Sequence, residues 1–105
     1  MITITNKHRD STSAGIYVGR PSPLGNPYVM GTHGTRMEVI ERYRHWLKKQ
    51  LDNPQSKATK EFNRLCTLAE KRDLELICWC KPLPCHAEVI KEMIELFAIV
   101  EEEVT

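Results

Sequence analysis

The sequence predicts a small α/β domain, a minimal Rossmann-like sheet with amphipathic helices, and three observations lead there. Ile2–Thr5 and Gly15–Gly19 are short β-rich runs, and Leu74–Cys80 is a nearly continuous apolar run of the kind buried on both faces of a parallel sheet. Stretches of helical periodicity lie between the second and third runs and after the third, giving the order β-β-α-α-β-α. With 105 residues, 41% hydrophobic and 28% charged, the chain suits one core and a single domain over 1–105.

Taken in order, Ile2-Thr3-Ile4-Thr5 alternates apolar and polar β-branched residues, and the polar stretch from Asn6 to Ala14 reads as a loop. Gly15-Ile16-Tyr17-Val18-Gly19 is the second strand. Arg20 to Gly34 holds three prolines and three glycines, too many for a helix or a central strand, so it is expected to be an ordered loop. Thr35-Arg36-Met37-Glu38 fits a capping box, and Val39, Ile40, Tyr43, Trp46, Leu47 and Leu51 follow on one helical face. Asn53-Pro54 stops that helix and Ser56 caps the next, whose stripe is Phe62, Leu65, Cys66 and Ala69. The third strand belongs at the centre of the sheet. After a proline-rich turn, Val89, Ile90, Met93, Ile94 and Phe97 mark a terminal helix, with Pro84 suited to its first turn.

Composition narrows the functional classes. No apolar run reaches the roughly 18 residues of a membrane helix, and the amino terminus lacks a secretory layout, so a cytoplasmic protein is expected. Three of the four cysteines crowd together near the third strand, which points to reduced thiols or a metal rather than a disulfide framework. The net charge of +1 conceals an uneven distribution: ten Lys and Arg against five acids from Arg36 to Arg72, and six acids against Lys91 alone from Glu88 to Glu103. Solvated helix faces explain both, and a surface for nucleic acid or a host protein is the alternative.

Parallel strands would bring two unusual segments to one edge of the sheet, where open α/β sheets bind ligands. The first is Gly19-Arg20-Pro21-Ser22-Pro23-Leu24-Gly25-Asn26-Pro27; the second is Cys78-Trp79-Cys80-Lys81-Pro82-Leu83-Pro84-Cys85-His86. In the first, Gly25 allows close backbone approach while Arg20, Ser22 and Asn26 supply donors for a phosphate or carboxylate, with Arg36 beyond. It is neither a Walker loop nor a three-glycine dinucleotide fingerprint. In the second, the start of a helix favours an anion and a thiolate, making Cys85 a candidate nucleophile and His86 its acid or base, with Cys80 in the ligand-binding set. Two other readings stand beside it: a structural zinc held by Cys78, Cys80, Cys85 and His86, and plain core packing of the cysteines around a proline turn. The zinc set has an unfavourable Cys-x-Cys spacing, so no cofactor is predicted, with zinc as the alternative. Tyr17, Tyr28 and Trp79 would stack on a base if exposed, and His33 sits in a turn near the same edge.

Tyr17-Val18-Gly19-Arg20-Pro21, Leu24-Gly25-Asn26-Pro27-Tyr28, Gly34-Thr35-Arg36 and the Cys78-to-His86 segment together resemble domain of unknown function family 4326. The resemblance runs from about Ile2 to Phe97 and implies a small protein of phage or bacterial type, with no activity attached. Family members often carry Gly-Asp after the Cys-His pair, where this chain has Ala87-Glu88. The expected function is binding of a phosphate-bearing small molecule, a nucleotide or derivative, with or without chemistry at Cys85 and His86. The alternatives are an accessory protein for a host protein or nucleic acid, or a zinc-stabilised interaction module.

Overall fold

A computed structural model describes residues 1–7, 15–79 and 83–104, without the side chains of 99–104. Its elements are β1 (Ile2–Asn6), β2 (Ile16–Tyr17), α1 (Arg36–Leu51), α2 (Lys57–Lys71), β3 (Leu74–Cys78) and α3 (His86–Val104). The chain is thus mixed α/β, with the strands in one sheet of order β1-β3-β2 and both pairings parallel. Ile2 stands opposite Leu74, Asn6 opposite Cys78, and Tyr17 opposite Ile77.

β3 takes the centre because its alternate residues Leu74, Leu76 and Cys78 are nearly all buried, at 1%, 0% and 1% exposure. On its other face Ile77 is buried too, as expected, while Glu75 is only half-buried and its carboxylate accepts from the Thr5 hydroxyl at 2.6 Å. The strand also ends two residues earlier than its apolar run, at Cys78, with Trp79 in a bend.

Both local helix signals hold. Thr35 caps α1 through a full capping box with Glu38, and Ser56 caps α2 by accepting from the Thr59 N–H at 3.0 Å. The α1 face buries Val39, Ile40, Tyr43 and Leu47, while Trp46 and Leu51 pack at its margin. α3 starts at His86, so Pro84 precedes the helix instead of occupying its first turn. Phe97 lies at the end of the buried stripe and is 45% exposed, stacked edge-on against Phe62. α2 and α3 pack on the sheet and α1 packs across both of them. None of the described helices is long and apolar enough to cross a membrane.

Candidate functional site

The carboxyl edge of the sheet is pinned by backbone bonds that run past the strands. Val18 N–H donates to the Ile77 carbonyl at 3.0 Å, Lys7 N–H to the Cys78 carbonyl at 2.9 Å, and the Asn6 side chain to the Trp79 carbonyl at 3.0 Å. Both unusual segments therefore leave the sheet from neighbouring strands at one end. Two linked turns fold the first of them, Ser22 N–H donating to the Gly19 carbonyl and Gly25 N–H to the Ser22 carbonyl. Leu24, at 0% exposure, anchors this loop in the core, and its carbonyl accepts the buried Tyr43 hydroxyl at 2.7 Å.

Between the segments lies a cavity of about 370 Å³, lined on its polar side by Arg20, Asn26, Arg36, Cys85 and His86. Tyr17, Tyr28 and Trp79 supply aromatic faces, and Val39 and Ile40 an apolar wall. That volume falls at the small-molecule end of ligand pockets. Among the described residues, no Asp or Glu lines it and neither guanidinium has a carboxylate partner. Arg36 Nη1 donates to the Pro84 carbonyl at 3.2 Å, tying α1 to the second segment and leaving other donors of the fork for a ligand.

The aromatic wall is built as a chain of hydrogen bonds. Trp79 Nε1 donates to the Tyr17 hydroxyl at 2.8 Å, and that hydroxyl donates to the Arg20 carbonyl at 2.8 Å. The Lys7 ammonium lies 4.4 Å from the Tyr17 ring centre and 5.6 Å from that of Trp79. Trp79 keeps 47% of its surface exposed, so a planar group can reach it.

His86 is 8% exposed, and its Nε2 meets the Val18 carbonyl at 2.6 Å, which assigns the ring proton to Nε2 and acceptor capacity to Nδ1. Burial lowers its pKa, the bond to Val18 opposes that shift, and the charge of Arg20 adds to it. The ring also meets Tyr43 edge-on at 5.0 Å. Cys85, at the α3 cap position, is 4% exposed, and its Sγ accepts from the Ala87 N–H at 3.4 Å and lies 3.1 Å from Cys78 Sγ. This sulfur–sulfur contact joins the end of β3 to the residue before α3; the sequence grouped the two cysteines only as candidate zinc ligands, not as a directly contacting pair.

Other candidate residues take supporting positions. The Asn26 amide bridges the loop, accepting from the Tyr28 N–H at 2.9 Å and donating to the Val39 carbonyl at 3.3 Å. Gly25 does not line the cavity: a Cβ there would lie 3.0 Å from the backbone N and Cα of Arg20, so its bareness lets the loop close on itself. Ser22 is likewise absent from the lining, and its buried hydroxyl has no hydrogen-bond partner among the described residues. His33 Nδ1 accepts from the Val29 N–H at 2.8 Å and shapes the turn instead of the cavity. Cys80 lies outside the described residues. Of the zinc set, Cys78 and Cys85 meet, but His86 Nε2 is committed to a carbonyl, and among the described residues no three His, Cys, Asp or Glu converge as a metal site. On the basic stretch, Arg44 pairs with Glu41 and Glu92, and Arg64 with Glu61, which reduces its charge as a surface for a polyanion.

Compared with known proteins, the chain matches the model of one family over residues 3–96. It belongs to that family, described as a domain of unknown function (DUF4326). No curated protein and no solved structure matches it. The DUF4326 match takes in β1 from its second residue, β2, β3, α1, α2 and most of α3, and so includes both segments that wall the cavity.

Proposed function

We propose that this DUF4326 protein binds a phosphate-bearing small molecule, a nucleotide or nucleotide derivative, in the crevice between its two loop segments. The observation that carries this reading is the pairing of Arg20 and Arg36, without carboxylate partners among the described residues, with the aromatic faces of Tyr17, Tyr28 and Trp79 in one cavity. Phosphate oxygens need convergent charged donors, and a base needs a flat apolar face; the cavity offers both within the reach of one nucleotide. The amino end of α3 adds backbone N–H groups and a favourable dipole at Cys85 and His86. The sheet is read as a Rossmann-like layer, whose parallel strands deliver their following loops to a shared ligand edge. The protein is placed in the cytoplasm, where nucleotides abound and thiols remain reduced. Binding is the primary role, and any turnover falls to Cys85 as nucleophile with His86 Nδ1 as the available base.

A second cavity, of about 320 Å³ between Met1, Cys66 and Phe97, carries Glu70 and Glu95 and, among the described residues, no Lys or Arg side chain, so an anion belongs in the first. Titration calorimetry with nucleoside mono-, di- and triphosphates, nucleosides and inorganic phosphate tests the reading. Saturable binding that requires the phosphate is expected. Arg36→Ala should weaken it about ten- to a hundredfold, the value of one or two charge-assisted hydrogen bonds. Absence of binding by every nucleotide and by phosphate, or unchanged affinity in both Arg20→Ala and Arg36→Ala, would overturn it.

A further inference from the structure

We propose that Cys85 and Cys78 form a redox pair, in which a peroxide oxidises Cys85 from the cavity and Cys78 converts the product into an intramolecular disulfide. The two sulfurs stand 3.1 Å apart. A disulfide needs a separation of about 2.05 Å, so closure requires roughly 1 Å of approach. Their surroundings assign different roles. Cys85 lines the cavity, whereas Cys78 is 1% exposed at the end of the central strand and does not. An oxidant arriving through the cavity therefore meets Cys85 first. The Ala87 N–H bond to Cys85 Sγ and the start of α3 stabilise negative charge on that sulfur, the form that attacks peroxide. With the thiol only 4% exposed, hydrogen peroxide fits the approach better than a bulky disulfide.

The chemistry balances with peroxide as the sole oxidant. The Cys85 thiolate attacks one peroxide oxygen; the S–O bond forms, the O–O bond breaks, and the departing hydroxide takes a proton to leave as water. The Cys78 sulfur then attacks Cys85 Sγ, its proton passing to the leaving hydroxyl, so that the S–O bond breaks, the S–S bond forms and a second water leaves. Two thiols lose two electrons, and one peroxide becomes two waters. The bond draws Cys85 toward β3 and moves the start of α3, including the His86 ring at the cavity wall. This pair requires an open cavity and no particular occupant, so it stands apart from the nucleotide reading.

The test treats the reduced protein with stoichiometric hydrogen peroxide, followed by intact mass and mapping with chymotrypsin, which cuts at Trp79 between the two cysteines. The expected result is a loss of about 2 Da, a Cys78–Cys85 linkage, and reversal by dithiothreitol. The same linkage should form in a Cys66→Ser/Cys80→Ser double variant, which keeps the pair and excludes the other thiols. In Cys78→Ser, Cys85 should instead gain oxygen, by about 16 or 32 Da. A bond from Cys85 to Cys80 or Cys66, oxygen addition to the unaltered protein without a crosslink, or no mass change would each overturn the proposal.

Discussion

His86 shows how one residue serves both architecture and site. Its Nε2–H donates to the carbonyl of buried Val18, just past the end of β2, and its ring lines the cavity beside Cys85. Because burial lowers its pKa, the unfolded chain takes up a proton that the folded chain refuses once pH falls below the ordinary histidine value near 6.5. Stability is therefore retained above that pH, declines as pH falls, and stops declining once the folded imidazole itself protonates. Denaturant unfolding at pH 7.5 and pH 5.5 should show this loss, and His86→Gln, which keeps a donor without titrating, should show less of it. An identical pH dependence in the variant would assign the loss to other groups. At the same scale, the sequence displayed Arg20, Arg36, Cys85 and His86 as candidates because charge and nucleophilicity belong to residue type. It did not show that Gly25 and Asn26 serve mainly to hold the loop, since that depends on which backbone lies against them.

At the scale of elements, α1 is the part that fixes Arg36 in space. Its capping box begins the helix one residue before Arg36, and the Arg36 bond to the Pro84 carbonyl then joins that helix end to the second loop segment. Thr35→Ala removes the cap and should cost about 1 kcal/mol of stability, measured as a fall in denaturation midpoint. A second effect follows if the helix start positions the guanidinium: nucleotide affinity in Thr35→Ala should fall by more than in Ser56→Ala, which weakens the distant cap of α2 by a similar amount. The helices were readable from caps and periodicity because those signals are local. β2 was longer in the sequence than in the sheet, where it spans Ile16–Tyr17, because a strand's extent is set by the partner it pairs with.

For the whole molecule, the central position of β3 makes it the element whose loss is felt at both edges of the sheet. Leu76, at 0% exposure, lies opposite Ile4 in β1 and Ile16 in β2. Leu76→Ala should destabilise by about 2–5 kcal/mol, the range for a truncated core leucine, and equilibrium unfolding measures it. A cost under about 1 kcal/mol would mean that the core collapses around the deletion more readily than this packing implies. The same central strand carries the second loop segment, so the stability of the core and the shape of the cavity are linked through one element.

The sequence by itself determined the mixed α/β class, the capped helices, the central third strand and the two segments rich in donors, thiols and prolines. Those follow from residue type and from spacing within a few positions along the chain. Tertiary structure alone decided that Arg20 and Arg36 share a cavity with Tyr17 and Trp79, that His86 spends Nε2 on Val18, and that Cys78 meets Cys85. Each of these brings together separate stretches of the chain, and their distances are set by strand order and helix packing, quantities to which no local pattern in the chain is tied.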